Sequence, residues 1–363
     1  MTNQTYNFCA GPAALPVPVM QKAQQELLNW RGLGVSVMEV SHRSSEYQEL
    51  ANKAESDLRK LMGIGEEHAV LFMHGGASLQ FSSIPMSLLS ENKTAEYIEN
   101  GIWSSKAAQE AARYGKINSI PALQMDDSGI RSLSSPSTWT RSESPVYTHY
   151  TPNETIEGIR FPFLPETNGS LIADLSSCIL SEKLNMSDFD MIYAGAQKNI
   201  GPAGMTIVIV KHELMDKMDF SRVPKVFNYK AQAEQGSMIN TPPTYAWYLA
   251  SLVFEWLLEQ GGVEGMEKLA HQRANLLYSY LDSDDFYHNP IAPEYRSLMN
   301  VPFILKDESL NDKFLKEARS AGLVGLKGHR SVGGMRASIY NSMPIEGVEA
   351  LIAFMKEFKQ QNG

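Results

Sequence analysis

Six consecutive residues, Met205-Thr206-Ile207-Val208-Ile209-Val210, are apolar or β-branched without a break. A run this short and uniform reads as a strand buried on both faces, not as an element with one wet side. Comparable runs recur at 69–73, 145–150, 171–175 and 191–194, and Glu96-Tyr97-Ile98 reads as a further strand. Helix-compatible stretches lie between or beside them at 16–31, 44–62, 77–89 and 104–113. The clearest is 44–62, where Tyr47, Leu50, Ala51, Ala54, Leu58 and Leu61 recur at three- and four-residue spacing. Ser45 and Gln48 are placed for a capping box at its start. Strands alternating with helices imply an α/β fold, a mostly parallel sheet covered by helices on both faces.

The texture changes after Gly261-Gly262. A long helical stretch at 263–281, the strand Val301-Pro302-Phe303-Ile304-Leu305, and helices at 311–321 and 345–360 suggest a smaller α+β domain. The expected division is a large α/β domain at 16–261 and a small domain at 262–363 that includes the N-terminal arm, 1–15. A length of 363 residues suits two such units, and 43% hydrophobic residues can fill their cores. The most apolar stretch, 245–258, contains Glu255 and is shorter than the ~20 residues a bilayer span needs. It reads as a buried helix, and the start of the chain lacks a basic, apolar leader. Lys plus Arg number 32 against 41 Asp plus Glu, a formal charge of −9. That balance argues against nucleic acid or an anionic membrane as the main partner, while leaving room for a small basic pocket. With only Cys9 and Cys178, neither a disulfide scaffold nor a cysteine-rich zinc site is expected, and a reducing cytoplasm is compatible. The histidines show no paired metal spacing, so no metal site is expected.

Chemistry concentrates in a few places. Lys198, in Gly195-Ala196-Gln197-Lys198-Asn199-Ile200-Gly201-Pro202, sits in a tight turn between two apolar strands. Desolvation there would lower the lysine's pKa and free its amine to attack carbonyls; the bland alternative is a surface hairpin lysine. Asp174 ends the strand 171–175, where open α/β sheets face their ligands. A lysine with an acid for a pyridinium nitrogen is what pyridoxal phosphate chemistry uses; capping Ser176-Ser177 is the alternative role for Asp174. His74-Gly75-Gly76-Ala77-Ser78 reads as strand, turn and helix start, suited to a phosphate but weak alone. Trp103, placed just before a helix cap at Ser104, could stack on a planar ring or fill a core. Thr155 could reach a ring oxygen or cap a turn. Between Glu317 and Glu346 no acidic residue occurs, while Arg319, Lys327, His329, Arg330 and Arg336 stand among glycines. A His-Arg-Ser tripeptide appears twice, at His42-Arg43-Ser44 and His329-Arg330-Ser331. Such segments suit carboxylate and phosphate recognition, or are solvated surface charge.

Taken together, Asn7-Phe8-Cys9-Ala10-Gly11-Pro12-Ala13, Ser41-His42-Arg43-Ser44, the His74–Ser78 turn, His149-Tyr150-Thr151-Pro152-Asn153-Glu154-Thr155-Ile156-Glu157-Gly158, Ala173-Asp174-Leu175-Ser176-Ser177, the Lys198 turn, Asn240-Thr241-Pro242-Pro243-Thr244 and Gly328-His329-Arg330-Ser331-Val332-Gly333-Gly334-Met335-Arg336 resemble the class V, fold type I pyridoxal-phosphate-dependent aminotransferases, in their phosphoserine-forming branch. The similarity covers nearly the whole chain. It implies a cytoplasmic homodimer that converts 3-phosphohydroxypyruvate and L-glutamate to O-phospho-L-serine and 2-oxoglutarate by ping-pong chemistry in serine biosynthesis. The related four-carbon phosphorylated keto acid of vitamin B6 synthesis is a further candidate substrate. By resemblance Lys198 is the Schiff-base lysine and proton shuttle, Asp174 pairs the pyridine nitrogen, Trp103 stacks on the ring and Thr155 meets the ring hydroxyl. Ala77, Ser78 and Gln197 would hold the cofactor phosphate, joined by Asn240 and Thr241 of a partner subunit. Arg336 would clamp the substrate α-carboxylate, and His42, Arg43, His329 and Arg330 the distal phosphate or carboxylate. Some members carry an arginine where this chain has Ser78, so the phosphate grip here would rest on amides and hydroxyls. A glyoxylate-using transaminase would not need the extra basic groups. A cysteine desulfurase would need a mobile C-terminal cysteine, which neither Cys9 nor Cys178 provides. A cofactor-binding regulator without turnover is the alternative from another class.

Overall fold

A computed structural model describes residues 5–363; the first four residues of the expected arm lie outside the described residues. Seven strands build the central sheet: β1 (His68–His74), β2 (Thr94–Glu99), β3 (Lys116–Pro121), β4 (Tyr147–Tyr150), β5 (Ser170–Asp174), β6 (Met191–Gly195) and β7 (Met205–Lys211). Across the sheet they lie in the order β1-β7-β6-β5-β4-β2-β3. Strand β7 runs antiparallel to both its neighbours, and the other pairs are parallel. Alternate residues feed separate cores. Val70, Phe72, Ile98, Ala173, Ile192, Ile207 and Ile209 pack to one face, with Leu71, Met73, Tyr97, Ile172, Tyr193, Val208 and Val210 on the other. With both faces covered, no polar alternation is needed, which is why β7 reads as one apolar run. Strand β3, Lys116-Ile117-Asn118-Ser119-Ile120-Pro121, is paired on one side only and is mostly exposed or half-exposed; it carries no such run and is invisible to that signal.

The helices of the large sheet include α1 (Val17–Glu26), α2 (Ser45–Met62), α3 (Gln80–Leu88), α4 (Ile102–Ala111) and α5 (Thr244–Glu259). Helix α1 ends at Glu26, short of residue 31; Asn29 leaves the helical region at φ −148° and ψ 71°, and Arg31, Gly32 and Gly34 take positive φ, so a right-handed helix does not resume. Helix α2 buries the expected stripe and ends on Gly63 in the left-handed region. Its cap differs from the expected box. Ser44 is the N-cap, its Oγ accepting from the Tyr47 amide at 3.3 Å, and Gln48 Nε2 donates to the His42 carbonyl at 2.6 Å. Ser45 is already helical, so its hydroxyl cannot reach the same amide. Helix α5 is buried on nearly every side, with Trp247 stacked on Phe72 at 4.4 Å. Among the described residues no helix is long and apolar enough to cross a membrane.

The C-terminal part has its own core. Helix α6 (Gly262–Asp282) gives Val263 and Met266 to the large core but Ala270, Ala274, Leu277 and Leu281 to the second. There it meets α7 (Asn311–Ser320), α8 (Ile345–Asn362), and an antiparallel sheet of Tyr287–His288, β8 (Asn300–Leu305) and β9 (Met335–Ser338). The arm returns to this second body. Tyr6–Asn7 pairs with Leu323–Val324, and Phe8 is fully buried in its core.

Candidate active site

The C-terminal ends of β1, β2, β4, β5 and β6 leave the sheet at one edge, and the segment after each contributes to a single cavity of about 340 Å³. Gly76, Ala77 and Ser78 follow β1, Trp103 follows β2, and Thr151 to Ile156 follow β4. Asp174, Ser176 and Ser177 come from the end of β5, and Gln197 and Lys198 from the turn after β6. Ala10 and Gly11 of the arm and His329 and Arg336 of the second body close the space. A crevice at the carboxyl ends of parallel strands is where such sheets bind ligands, and the volume suits a cofactor.

Lys198 is presented by the β6–β7 hairpin, whose mouth is tied by Ala196 N to the Met205 carbonyl at 2.9 Å and Gly201 N to the Ala196 carbonyl at 2.7 Å. Its Nζ donates to Thr155 Oγ1 at 2.6 Å. Burial pushes the amine's pKa below the usual lysine range, opposed by the nearby Asp174 and Glu154 carboxylates. This is the desolvated lysine of the sequence argument, not the surface one. Asp174 pairs across the strands with Tyr193. Burial raises its carboxyl above the usual range; its bonds to Ser176, including the Ser176 amide at 2.9 Å, and the Lys198 charge work the other way. The turn role for Asp174 therefore holds alongside the cavity role. Behind it, Tyr193 Oη meets His149 Nε2 at 2.8 Å and Tyr97 stacks on the imidazole at 4.8 Å. Burial lowers His149 to about 3, so it stays neutral.

Two expectations about local structure shift. Residues 77–79 form a 3₁₀ turn ahead of α3 rather than the first turn of one helix. Gly75 is needed there: its φ is +87°, and a Cβ would lie 2.2 Å from Leu79 Cδ1. Helix α4 begins at Ile102, so Trp103 lies inside its first turn instead of ahead of it, and Ser104 Oγ accepts from the amides of Asn100 and Gly101.

The second body supplies Arg336, whose Nη1 donates to the Thr155 carbonyl at 3.2 Å. Its Nε is buried with no hydrogen-bond partner among the described residues, as is Thr151 Oγ1 in the same wall. Buried donors without acceptors are costly. An amine, a strand-end carboxylate, an aromatic wall and an unpartnered guanidinium nitrogen in one cavity therefore fit a planar anionic cofactor with a carboxylate-bearing substrate. Thr151 was not singled out in the sequence; a hydroxyl directly after the last residue of β4 was the available signal. His329 lines the cavity, its Nδ1 within 2.6 Å of Ser331 Oγ. Burial, with Arg336 and Arg330 beside it, lowers its pKa, so the ring is mainly neutral at pH 7.

The remaining expected residues do not reach this cavity. Arg43, Arg330, Asn240 and Thr241 are exposed and His42 is half-buried. The segments carrying two pairs of them approach each other, since Gln48 Nε2 contacts both the His42 carbonyl and, at 3.1 Å, the sulfur of Met238, two residues before Asn240. Elsewhere, Glu182, Glu267 and His271 bring ligand-type atoms within 4.8 Å of one another, but Glu182 is already paired with Arg160 at 3.0 Å and none of the three lines the cavity.

The model of the class-V aminotransferase family matches residues 5–351. The phosphoserine aminotransferase of Acinetobacter baylyi is 59% identical over 360 residues, covering 99% of this chain and 100% of its own. That of Pseudomonas paraeruginosa is 53% identical over 364 residues, covering 100% of both. Among solved structures, phosphoserine aminotransferase from Bacillus circulans subsp. alkalophilus superposes with a TM-score of 0.95 at 41% identity over 100% of each chain. The PLP-bound phosphoserine aminotransferase of Trichomonas vaginalis gives 0.92 at 39% identity, covering 97% of this chain and 100% of that one.

Proposed function

The chain belongs to the class-V aminotransferases, and on that premise we propose which of its residues carry the reaction and what completes its site. Its activity is that of a phosphoserine aminotransferase, a pyridoxal-phosphate-dependent enzyme of serine biosynthesis. When bound, pyridoxal phosphate supplies a carbonyl that takes up the amino group and a ring that withdraws electrons from the substrate α-carbon. Lys198 would carry the cofactor, and its Nζ, once freed by the incoming amine, would move the proton between the substrate α-carbon and the cofactor carbon. A depressed pKa suits a group that must be neutral to accept a proton near pH 7. Thr155 steadies Lys198 and then meets the ring hydroxyl. Asp174 holds a proton on the ring nitrogen, Trp103 covers the ring face, and Ala77, Ser78 and Gln197 hold the phosphate. Arg336 takes the substrate α-carboxylate. The observation that carries these assignments is the convergence of Lys198, Asp174, Thr155, Trp103 and Arg336 on one cavity, with Arg336 Nε buried and unpartnered.

The second half of the site comes from another copy of the chain. This reading is supported by two surface features. The segments carrying His42 and Arg43 and carrying Asn240 and Thr241 meet through Gln48, and none of the four lines this chain's cavity. Beside them the segment 27–38 exposes Leu27, Leu28, Leu33, Val35 and Met38, with Leu28 82% exposed, and α1 adds Val17 and Met20. Apolar surface of that extent marks a contact with a partner. A two-fold dimer would bury it and present the polar residues to the partner's cavity. We also infer the two-domain division, with the boundary inside α6 where its buried residues change core. A cytoplasmic location is supported by Cys9 and Cys178 both being free.

Purified protein should be yellow, and borohydride should fix the cofactor on Lys198. Assayed with glutamate and a panel of keto acids, it should prefer 3-phosphohydroxypyruvate, with the four-carbon phosphorylated analogue as a second arm. Preference for glyoxylate, or reduction mapping to another lysine, would overturn the assignment.

A further inference from the structure

Glu154 ends a two-residue strand, Asn153–Glu154, at the edge of a tight turn, where a glutamate ordinarily points to water, yet it is fully buried. Its Oε1 accepts from the Trp103 amide at 2.9 Å. Its Oε2 accepts from the amides of Ile156 at 2.6 Å and Glu157 at 2.8 Å. No lysine or arginine forms an ion pair with it among the described residues. Trp103 is the second residue of α4, so its amide has no acceptor inside the helix and depends on an outside group. The chain makes room for that group. A Cβ on Gly101 would lie 2.6 Å from Glu154 Cγ and 2.8 Å from its Cδ, closer than real carbon contacts.

We propose that Glu154 is a positioning residue whose carboxylate fastens the start of α4, carrying Trp103, to the turn carrying Thr155. The inference rests on the reading of the cavity as the transaminase site. The fastened turn reaches further, since Thr155 holds Lys198 through its hydroxyl and Arg336 through its carbonyl. One buried side chain thereby sets the spacing between the aromatic wall, the cofactor lysine and the carboxylate clamp. Only a carboxylate of this length serves. Burial raises its pKa and the three amides oppose that; as a carboxylate it offers acceptors on both oxygens and no donor, whereas glutamine would turn an NH₂ toward at least one of three amides, and aspartate falls a methylene short.

Backbone amide exchange tests this directly, on the cofactor-free protein. The Trp103 amide should exchange slowly in the wild type. It should exchange ~10- to 150-fold faster in both Glu154→Gln and Gly101→Ala, the range a hydrogen bond to a charged group is worth, while amides of β5 and β6 stay unchanged. In the holoenzyme both variants should release cofactor faster and lose kcat/KM by similar factors for phosphoserine and for alanine, because the displaced groups serve both. An unprotected Trp103 amide in the wild type would overturn the proposal even if neither variant folds. So would equal acceleration across the sheet, which marks a scaffold role, or faster Trp103 exchange with unchanged cofactor release. If the transaminase reading itself fails, turnover is absent in the wild type while the exchange pattern remains.

Discussion

The inner wall of the cavity and the basic group outside it contain the same kinds of polar residue in opposite settings. Lys198, Asp174, Thr155 and Arg336 are enclosed by one chain and hold each other through bonds of 2.6 to 3.2 Å or through the charges of their neighbours. His42, Arg43, Arg330, Asn240 and Thr241 meet water or lie near it. Charge at an exposed position contributes little until a second surface dries it. The inner wall is thus complete as folded and does chemistry common to every substrate. On the proposed reading the outer group becomes a binding site only when another surface covers it, and what it would add is discrimination. The two should fail differently when broken.

The largest effect should come from the inner wall. Lys198→Ala would remove both the proposed attachment point and the proposed proton carrier, so turnover should fall by at least ~10⁴-fold with every amino donor. Absorbance after gel filtration should show that the cofactor is no longer covalently held. Retention of more than a hundredth of wild-type turnover would mean that another base does the work.

The inner wall was also the legible half. Strands buried on both faces announce themselves as apolar runs, and a lysine or aspartate at the end of such a run is a candidate for the ligand edge of the sheet. Lys198 and Asp174 were therefore readable from local pattern as candidates, each with a surface or capping alternative, and it took the two together to favour the cavity that both line. Strand β3 was not, because an edge strand has no apolar run to show. The cap of α2 was misplaced by one residue because Ser44 and Ser45 carry the same hydroxyl, and only backbone direction decides which reaches the Tyr47 amide. Glu154 was hidden for a related reason: its burial depends on Gly101, 53 positions earlier, and nothing local to either residue records that meeting. The outer group was legible as composition, in the doubled His-Arg-Ser and the acid-free span, but its place outside this chain's cavity was not, because no local pattern records where a surface segment sits relative to that cavity.

An intermediate effect should separate the two halves by substrate. A hydrogen bond to a charged group is worth roughly 1.5–3 kcal/mol, or about 10- to 150-fold. Arg336→Leu should cost that factor for phosphoserine, glutamate and alanine alike, since all carry the α-carboxylate that the unpartnered Arg336 Nε awaits. Arg330→Leu should cost it for phosphoserine and glutamate and spare alanine, which has no distal anion. The check is kcat/KM for the three amino donors with each variant. If Arg330→Leu leaves the phosphoserine-to-alanine ratio unchanged, the outer arginine is surface charge and the division by substrate collapses.

The smallest expected signal is the one that decides whether the outer group is borrowed. Lys198→Ala chains keep Thr241, and chains carrying Thr241→Trp keep Lys198, yet neither homodimer should have an intact composite site. Mixed, subunits should exchange into heterodimers in which one site combines the sound lysine of one chain with the sound Thr241 of the other, and the second site carries both defects. Random pairing at equal amounts gives about half heterodimers with one working site in two, so activity should recover to about a quarter of wild type. The exposed stretch from Leu27 to Met38 sets a condition on the experiment. An apolar contact exchanges slowly, so mixing must be verified by native mass before the assay is read. If heterodimers form in the expected proportion and activity stays at the level of the parents, Thr241 acts within its own chain or not at all. In that case the exposed cluster beside His42 is not the missing half of the cavity, and each chain would have to bind a phosphorylated substrate with the His329 loop alone.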